Sequence, residues 1–197
     1  TSDGTVPSTD ETVINRFHRW YCRSGHWRHA IEDEIVPWVL QGVDLGGHAL
    51  DELLARQVAA LTAVEIDADL ARQLRERFEG TNVTVERGDV TAMPFADGSF
   101  TGAVSFTMLH HVPSAEQQDR LLGDGRRALT PGATFAGSDS RSTTFPIAHV
   151  AGTFAVRLQA VGFSGVEVQV GKNSFRFRAT APGSVLALPA ALCISTP

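Results

Sequence analysis

Two carboxylates, Glu65 and Asp89, each stand at the end of a short run with strand-like composition. The runs are Leu61-Thr62-Ala63-Val64-Glu65-Ile66-Asp67 and Val83-Thr84-Val85-Glu86-Arg87-Gly88-Asp89. An ionised carboxylate accepts hydrogen bonds and donates none. Two such acceptors on one edge suit a ligand that offers donors. Glu65 can take both hydroxyls of a ribose, and Asp89 the amino group of an adenine. Together they suit an adenosine-bearing cofactor.

That chemistry requires the two acids to lie side by side, and the pattern between them supplies the means. Residues 69–79 read as a helix, capped by Asp67, apolar at Leu70, Leu74 and Phe78, and closed by Gly80. A right-handed β-α-β unit ends both strands on one edge of a parallel sheet. Open α/β sheets bind ligands in the crevice at that edge. Strand and helix alternate onward. Gly102 to Phe106 reads as a buried strand, and Ser114 with Gln117 opens a helix through Leu129. Pro131-Gly132 reads as a turn before a strand over 133–137, and Phe154 to Val161 as a helix stopped by Gly162. Val166 to Val170 and Ser174 to Ala179 alternate around Gly171-Lys172-Asn173, the pattern of a hairpin. The expected class is α/β, a Rossmann-like doubly wound, mostly parallel sheet with a C-terminal antiparallel hairpin. Residues 1–42 read as a tail and helical lid, 43–180 as the ligand-binding domain, and 181–197 as a C-terminal tail.

Composition narrows the function classes. A chain of 197 residues, 43% hydrophobic, carries enough apolar surface for one real core. A net charge of −5 does not favour a nucleic-acid partner. Cys22 and Cys193 stand far apart, giving neither a disulfide framework nor a metal spacing, which fits a reducing cytoplasm. No stretch reaches about 18 apolar residues, so no membrane span is expected.

The order of signals resembles the class I S-adenosylmethionine-dependent methyltransferases, and most closely those of ubiquinone and menaquinone biosynthesis, over about Arg16 to Ala179. Four runs carry the resemblance: Leu61 to Asp67; Gly88-Asp89-Val90-Thr91-Ala92-Met93-Pro94-Phe95; Phe106-Thr107-Met108-Leu109-His110-His111-Val112-Pro113; and Leu129-Thr130-Pro131-Gly132. The resemblance implies S-adenosylmethionine as cofactor. It implies Glu65 as the ribose ligand with Ile66 beside it, Asp89 as the adenine contact with Val90 beside it, and Phe106 lining the cofactor. The family's first strand ends in an acidic residue and a glycine-rich loop, and here the chain departs from the pattern. In one register, Val43-Asp44-Leu45-Gly46-Gly47 is a shortened loop. In the other, His48-Ala49-Leu50-Asp51 is the first strand, Asp51 is the acidic residue, and the glycine loop after it is missing.

The resemblance implies methyl transfer to a small-molecule acceptor. The alternative is a degenerate, non-catalytic binding protein on the same fold, which the missing glycine loop would explain. A nicotinamide-dependent oxidoreductase accounts for Glu65 but gives Phe106 to Pro113 no role. The sequence names no catalytic base. Adjacent His110 and His111 have no third ligand at metal spacing and read as structural. Asp139-Ser140-Arg141 lies where relatives bind the acceptor, and reads equally as an exposed loop.

Overall fold

The computed structural model describes residues 59–106, 108–140, 151–172, 174–183 and 191–195. Their elements, in chain order, are β1 (Leu61–Glu65), α1 (Ala68–Arg77), β2 (Val83–Arg87), β3 (Phe100–Phe106), a 3-10 turn (Leu109–His111), α2 (Ala115–Ala128), β4 (Leu129–Ser140), α3 (Ala151–Ala160), β5 (Ser164–Val170), β6 (Ser174–Thr180) and β7 (Ala191–Ser195). The strands form one seven-stranded sheet in the order β2-β1-β7-β3-β4-β6-β5. The first five in that order are parallel, and β6 runs antiparallel to both β4 and β5. This is the expected class, closed by the expected hairpin.

Local chemistry fixes the elements. The Asp67 carboxylate accepts from the amides of Asp69 and Leu70 and so starts α1. Ser114 does the same for α2, accepting from the Gln117 amide. Pro131-Gly132 does not end a strand. It is absorbed as a bulge inside β4, where the register with β3 shifts between Phe100 and Gly102. Gly132 has φ +84°, and its amide donates to the Ala181 carbonyl. Glycine meets that conformation without the steric cost other residues bear.

The main core lies against α2 and α3, with Phe135, Phe154, Phe177, Leu121, Leu122 and Leu158 fully buried. A smaller core, Ala63, Ala71 and Val85, sits under α1. The packing between strands is tight at Gly137. A Cβ there would overlap the Ser105 carbonyl oxygen of β3 and press on the Phe177 ring. Gly137→Ala should therefore force β4 from β3. The expected loss is about 1–3 kcal/mol, the usual cost of overpacking, read as a lower urea midpoint at unchanged slope.

The structure corrects the expected C-terminal tail. Residues 191–195 form β7, the middle one of the five parallel strands, paired with β1 on one side and β3 on the other. Its apolar sequence, Ala191-Leu192-Cys193-Ile194, suits a strand with parallel neighbours on both edges. Strand β1 pairs with β2 and β7, and β3 with β4 and β7. Strand β7 therefore joins β1 and β2 to the rest of the sheet.

Candidate functional site

The carboxyl edge of the parallel strands gathers the ends of β1, β7, β3 and β4. Glu65 closes β1 and is only 2% exposed. Its Oε1 accepts from the Asp67 amide at 2.8 Å. Its Oε2 is buried and has no hydrogen-bond partner among the described residues. Burial raises the Glu65 carboxyl above its ordinary pKa, and the nearby Asp67 charge pushes the same way. Hydrogen bonds from the backbone at Asp67 and Ile66 pull it down without cancelling the rise. An acid kept at that cost, with one oxygen unsatisfied, is set up to receive a donor. Ile66, next to it, is 57% exposed and offers an apolar face at the same edge.

Asp89 stands past the end of β2, which the Gly88 amide ties to β1 by donating to the Glu65 carbonyl at 3.0 Å. Its Oδ1 accepts from the amide and the hydroxyl of Thr91, both at 2.8 Å. The loop that follows is fixed from below. Arg127 of α2 donates to the carbonyls of Met93 and Phe95 and to the carboxylates of Asp97 and Asp124. Asp124 in turn accepts from the Met93 amide. This one guanidinium clamps the segment that carries Asp89. Val90 turns inward: it is buried in the main core, so any ligand contact it makes is through its backbone. Phe106, also buried, ends β3 level with Ser195 of β7 and Ser138 of β4. Asp51 lies outside the described residues.

The comparisons with known proteins follow this geometry. Residues 43–137 match the family model described as a methyltransferase domain. An uncharacterized methyltransferase of Mycobacterium tuberculosis is 31% identical over 110 residues, 54% of each chain. The chain spans about half the length of such curated relatives. A ribosomal RNA small subunit methyltransferase of Bordetella pertussis is 30% identical over 120 residues, 57% of this chain and 41% of that one. A Pyrococcus horikoshii protein superposes with a TM-score of 0.63 at 15% identity, over 85% of this chain and 99% of that one. An S-adenosylmethionine-dependent methyltransferase from Mesorhizobium loti gives 0.51 at 18%, over 62% and 80%. The fold is that of the S-adenosylmethionine-dependent methyltransferases.

S-adenosylmethionine is the cofactor that the matched methyltransferase-domain model implies. The residues present fit it. The buried, unsatisfied Oε2 of Glu65 matches a ribose hydroxyl, and the Asp89 carboxylate matches an exocyclic amine. Glu65 also sets a stability test. Its folded-state pKa is raised, so its contribution to stability is fully present below the unfolded value. That contribution is lost as pH rises through the folded value. Glu65→Gln removes this ionisation. Without ligand, the variant should melt above the wild type near neutral pH, and the gap should close toward pH about 4. A gap that is constant across the range would contradict the buried charge.

The sequence separated His110 from Asp139, and the structure joins them. Asp139 is no exposed loop residue but is 2% exposed at the end of β4. It faces the 3-10 turn after β3. Its Oδ2 accepts from the Leu109 amide at 2.6 Å, and its Oδ1 lies 2.5 Å from His110 Nδ1. The readable signal was an acid closing one strand and a histidine just past its parallel neighbour. Arg141 lies outside the described residues.

Proposed function

We propose that the protein transfers the methyl group of S-adenosylmethionine to a small-molecule acceptor, with Glu65 on the cofactor ribose, Asp89 on the adenine, and Ile66, Val90 and Phe106 completing the pocket. The observation that carries the cofactor assignment is the buried Glu65 Oε2, which has no partner among the described residues, at the end of the strand beside β7. A sulfonium methyl group is already activated. The protein's task is to align nucleophile, methyl carbon and sulfur and to exclude water. The acidic balance, 22 Asp and Glu against 17 Lys and Arg, favours a small acceptor over a polyanion. The ribosomal RNA methyltransferase among its relatives makes RNA the competing acceptor. Among the described residues no helix is long and apolar enough to cross a membrane. We place the activity in the cytoplasm.

A thermal-shift screen of small acceptors, with S-adenosylhomocysteine present and 16S RNA in parallel, tests this reading. Stabilisation by small molecules beyond that of S-adenosylhomocysteine alone supports it, and stabilisation by RNA alone overturns it. The second reading, a binding protein without turnover, draws on β7. The slot beside β1 is filled by the chain end, while the stretch matching the family's start precedes β1. Tight binding of S-adenosylmethionine with no methylated product from any acceptor would favour it.

A further inference from the structure

We propose that Ser138, near the carboxyl end of β4, binds the methyl acceptor, and that the group it binds is a carboxylate on a small molecule. This rests on the methyl-transfer reading and names its substrate class. The Ser138 side chain is buried, and its Oγ has no hydrogen-bond partner among the described residues. Buried hydroxyls are ordinarily paired, so an orphan at a ligand-binding edge calls for a partner from outside the chain.

The strand register puts Ser138 in line with Glu65, whose Oε2 is the other orphan oxygen at this edge. Val64 pairs with Ile194, so Glu65 stands level with Ser195. Ser195 pairs with Phe106, and Phe106 with Ser138. Side chains alternate along a strand, so Glu65, Phe106 and Ser138 share one face of the sheet. Ala63, two residues before Glu65, packs beneath α1, which identifies that face. Asp139 points the other way, toward the 3-10 turn. Below Ser138 on the shared face the residues are apolar, Ala136 of β4 beside Val104 of β3. Strands β1 and β4 are three interstrand steps apart, roughly 14 Å. The two orphan oxygens therefore mark two ends of one line, with Phe106 between them.

The direction of the cofactor assigns the far end. Its adenine lies at Asp89, past β2, and its ribose at Glu65 of β1. The chain that bears the sulfonium then continues from β1 toward β7 and β3. Strand β4 lies past both, where the molecule that receives the methyl group must stand. Charge selects the class of that molecule. Ser138 pairs across to Arg176 of β6, on the same face. Arg176 Nε and Nη2 donate to Gln169 Oε1 at 3.0 and 2.8 Å, and Gln169 is its partner on β5. That amide orients the guanidinium and carries no charge of its own. Arg176 keeps this partner and acts on the ligand by its charge. A serine hydroxyl donates to a neutral carbonyl or to a carboxylate, and a cation beside it favours the carboxylate.

The test compares wild type, Ser138→Ala and Arg176→Gln, each with S-adenosylhomocysteine present. The probes are benzoate and hexanoate, their amides benzamide and hexanamide, and 16S RNA. Isothermal titration reads affinity, and thermal melting without ligand reads the fold. The expected result is that the wild type binds a carboxylate more tightly than the matching amide. Ser138→Ala should bind the carboxylate about tenfold more weakly, with S-adenosylhomocysteine affinity unchanged. It should melt no lower than the wild type, because the lost hydroxyl leaves no partner behind. Arg176→Gln should shrink the preference for acid over amide. Equal affinity for acid and amide overturns the proposal, as does a wild type that binds neither carboxylate or a Ser138→Ala protein that binds them as the wild type does. A Ser138→Ala protein that melts well below the wild type overturns it too, since the hydroxyl then has a partner within the fold. Loss of S-adenosylhomocysteine affinity in that variant moves Ser138 to the cofactor and has the same effect. Wild type that fails to bind S-adenosylhomocysteine refutes the cofactor reading instead, and binding of RNA alone refutes the small-molecule reading.

Discussion

Glu65→Ala is expected to weaken S-adenosylhomocysteine binding at least tenfold while the protein stays folded. A hydrogen bond to a charged group is worth about 1.5–3 kcal/mol, and each 1.4 kcal/mol is a factor of ten in affinity. The buried Oε2 is the group the ligand would satisfy. The fold does not need the carboxylate to the same degree. Its contacts among the described residues are backbone amides of the two residues that follow it, Ile66 and Asp67, and Asp67 itself caps α1. Removing an acid whose burial disfavours its charge lifts a cost from the empty protein, so binding and folding separate cleanly in this variant. Asp89→Asn should be milder than Asp89→Ala. The amide keeps an oxygen for the Thr91 contacts, whereas alanine also frees the loop. Isothermal titration reads both. A folded Glu65→Ala protein with unchanged affinity would remove Glu65 from the site.

Deleting residues 191–197 is expected to abolish both cooperative unfolding and cofactor binding. Strand β7 hydrogen-bonds to β1 and β3 along both of its edges. At about 1 kcal/mol net per bond, losing this two-sided pairing costs several kcal/mol. Whole domains hold only about 5–15 kcal/mol. The loss also parts the half that carries Glu65 and Asp89 from the half that carries Phe106, His110 and Asp139. A synthetic peptide of residues 188–197, added in trans, should restore a sharp thermal transition by circular dichroism and recover S-adenosylhomocysteine binding. A truncated chain that melts and binds like the full one would mean that another segment fills the slot.

The sequence by itself determined the units of this fold and the acids at its edge. Local signals did this: Asp67 and Ser114 as helix caps, apolar periodicity along α1, and alternation through β5 and β6. Glu65 and Asp89 were legible because each follows a strand, and parallel strands joined by a helix end on one edge. Contacts between residues far apart in sequence were not legible. The Pro131-Gly132 signal was real, yet only β3 and β6 on either side of β4 turned it into a bulge rather than a turn. His110 and Asp139 are 29 residues apart, and nothing in the sequence around either announces the other. Their pairing follows from β3 and β4 being neighbours. The place of β7 is the largest such case. An apolar run suits any buried strand, so Ala191 to Ile194 carries no address of its own. Only the open position between β1 and β3, with backbone donors and acceptors on both sides, draws residues 191–195 into the middle of the parallel strands.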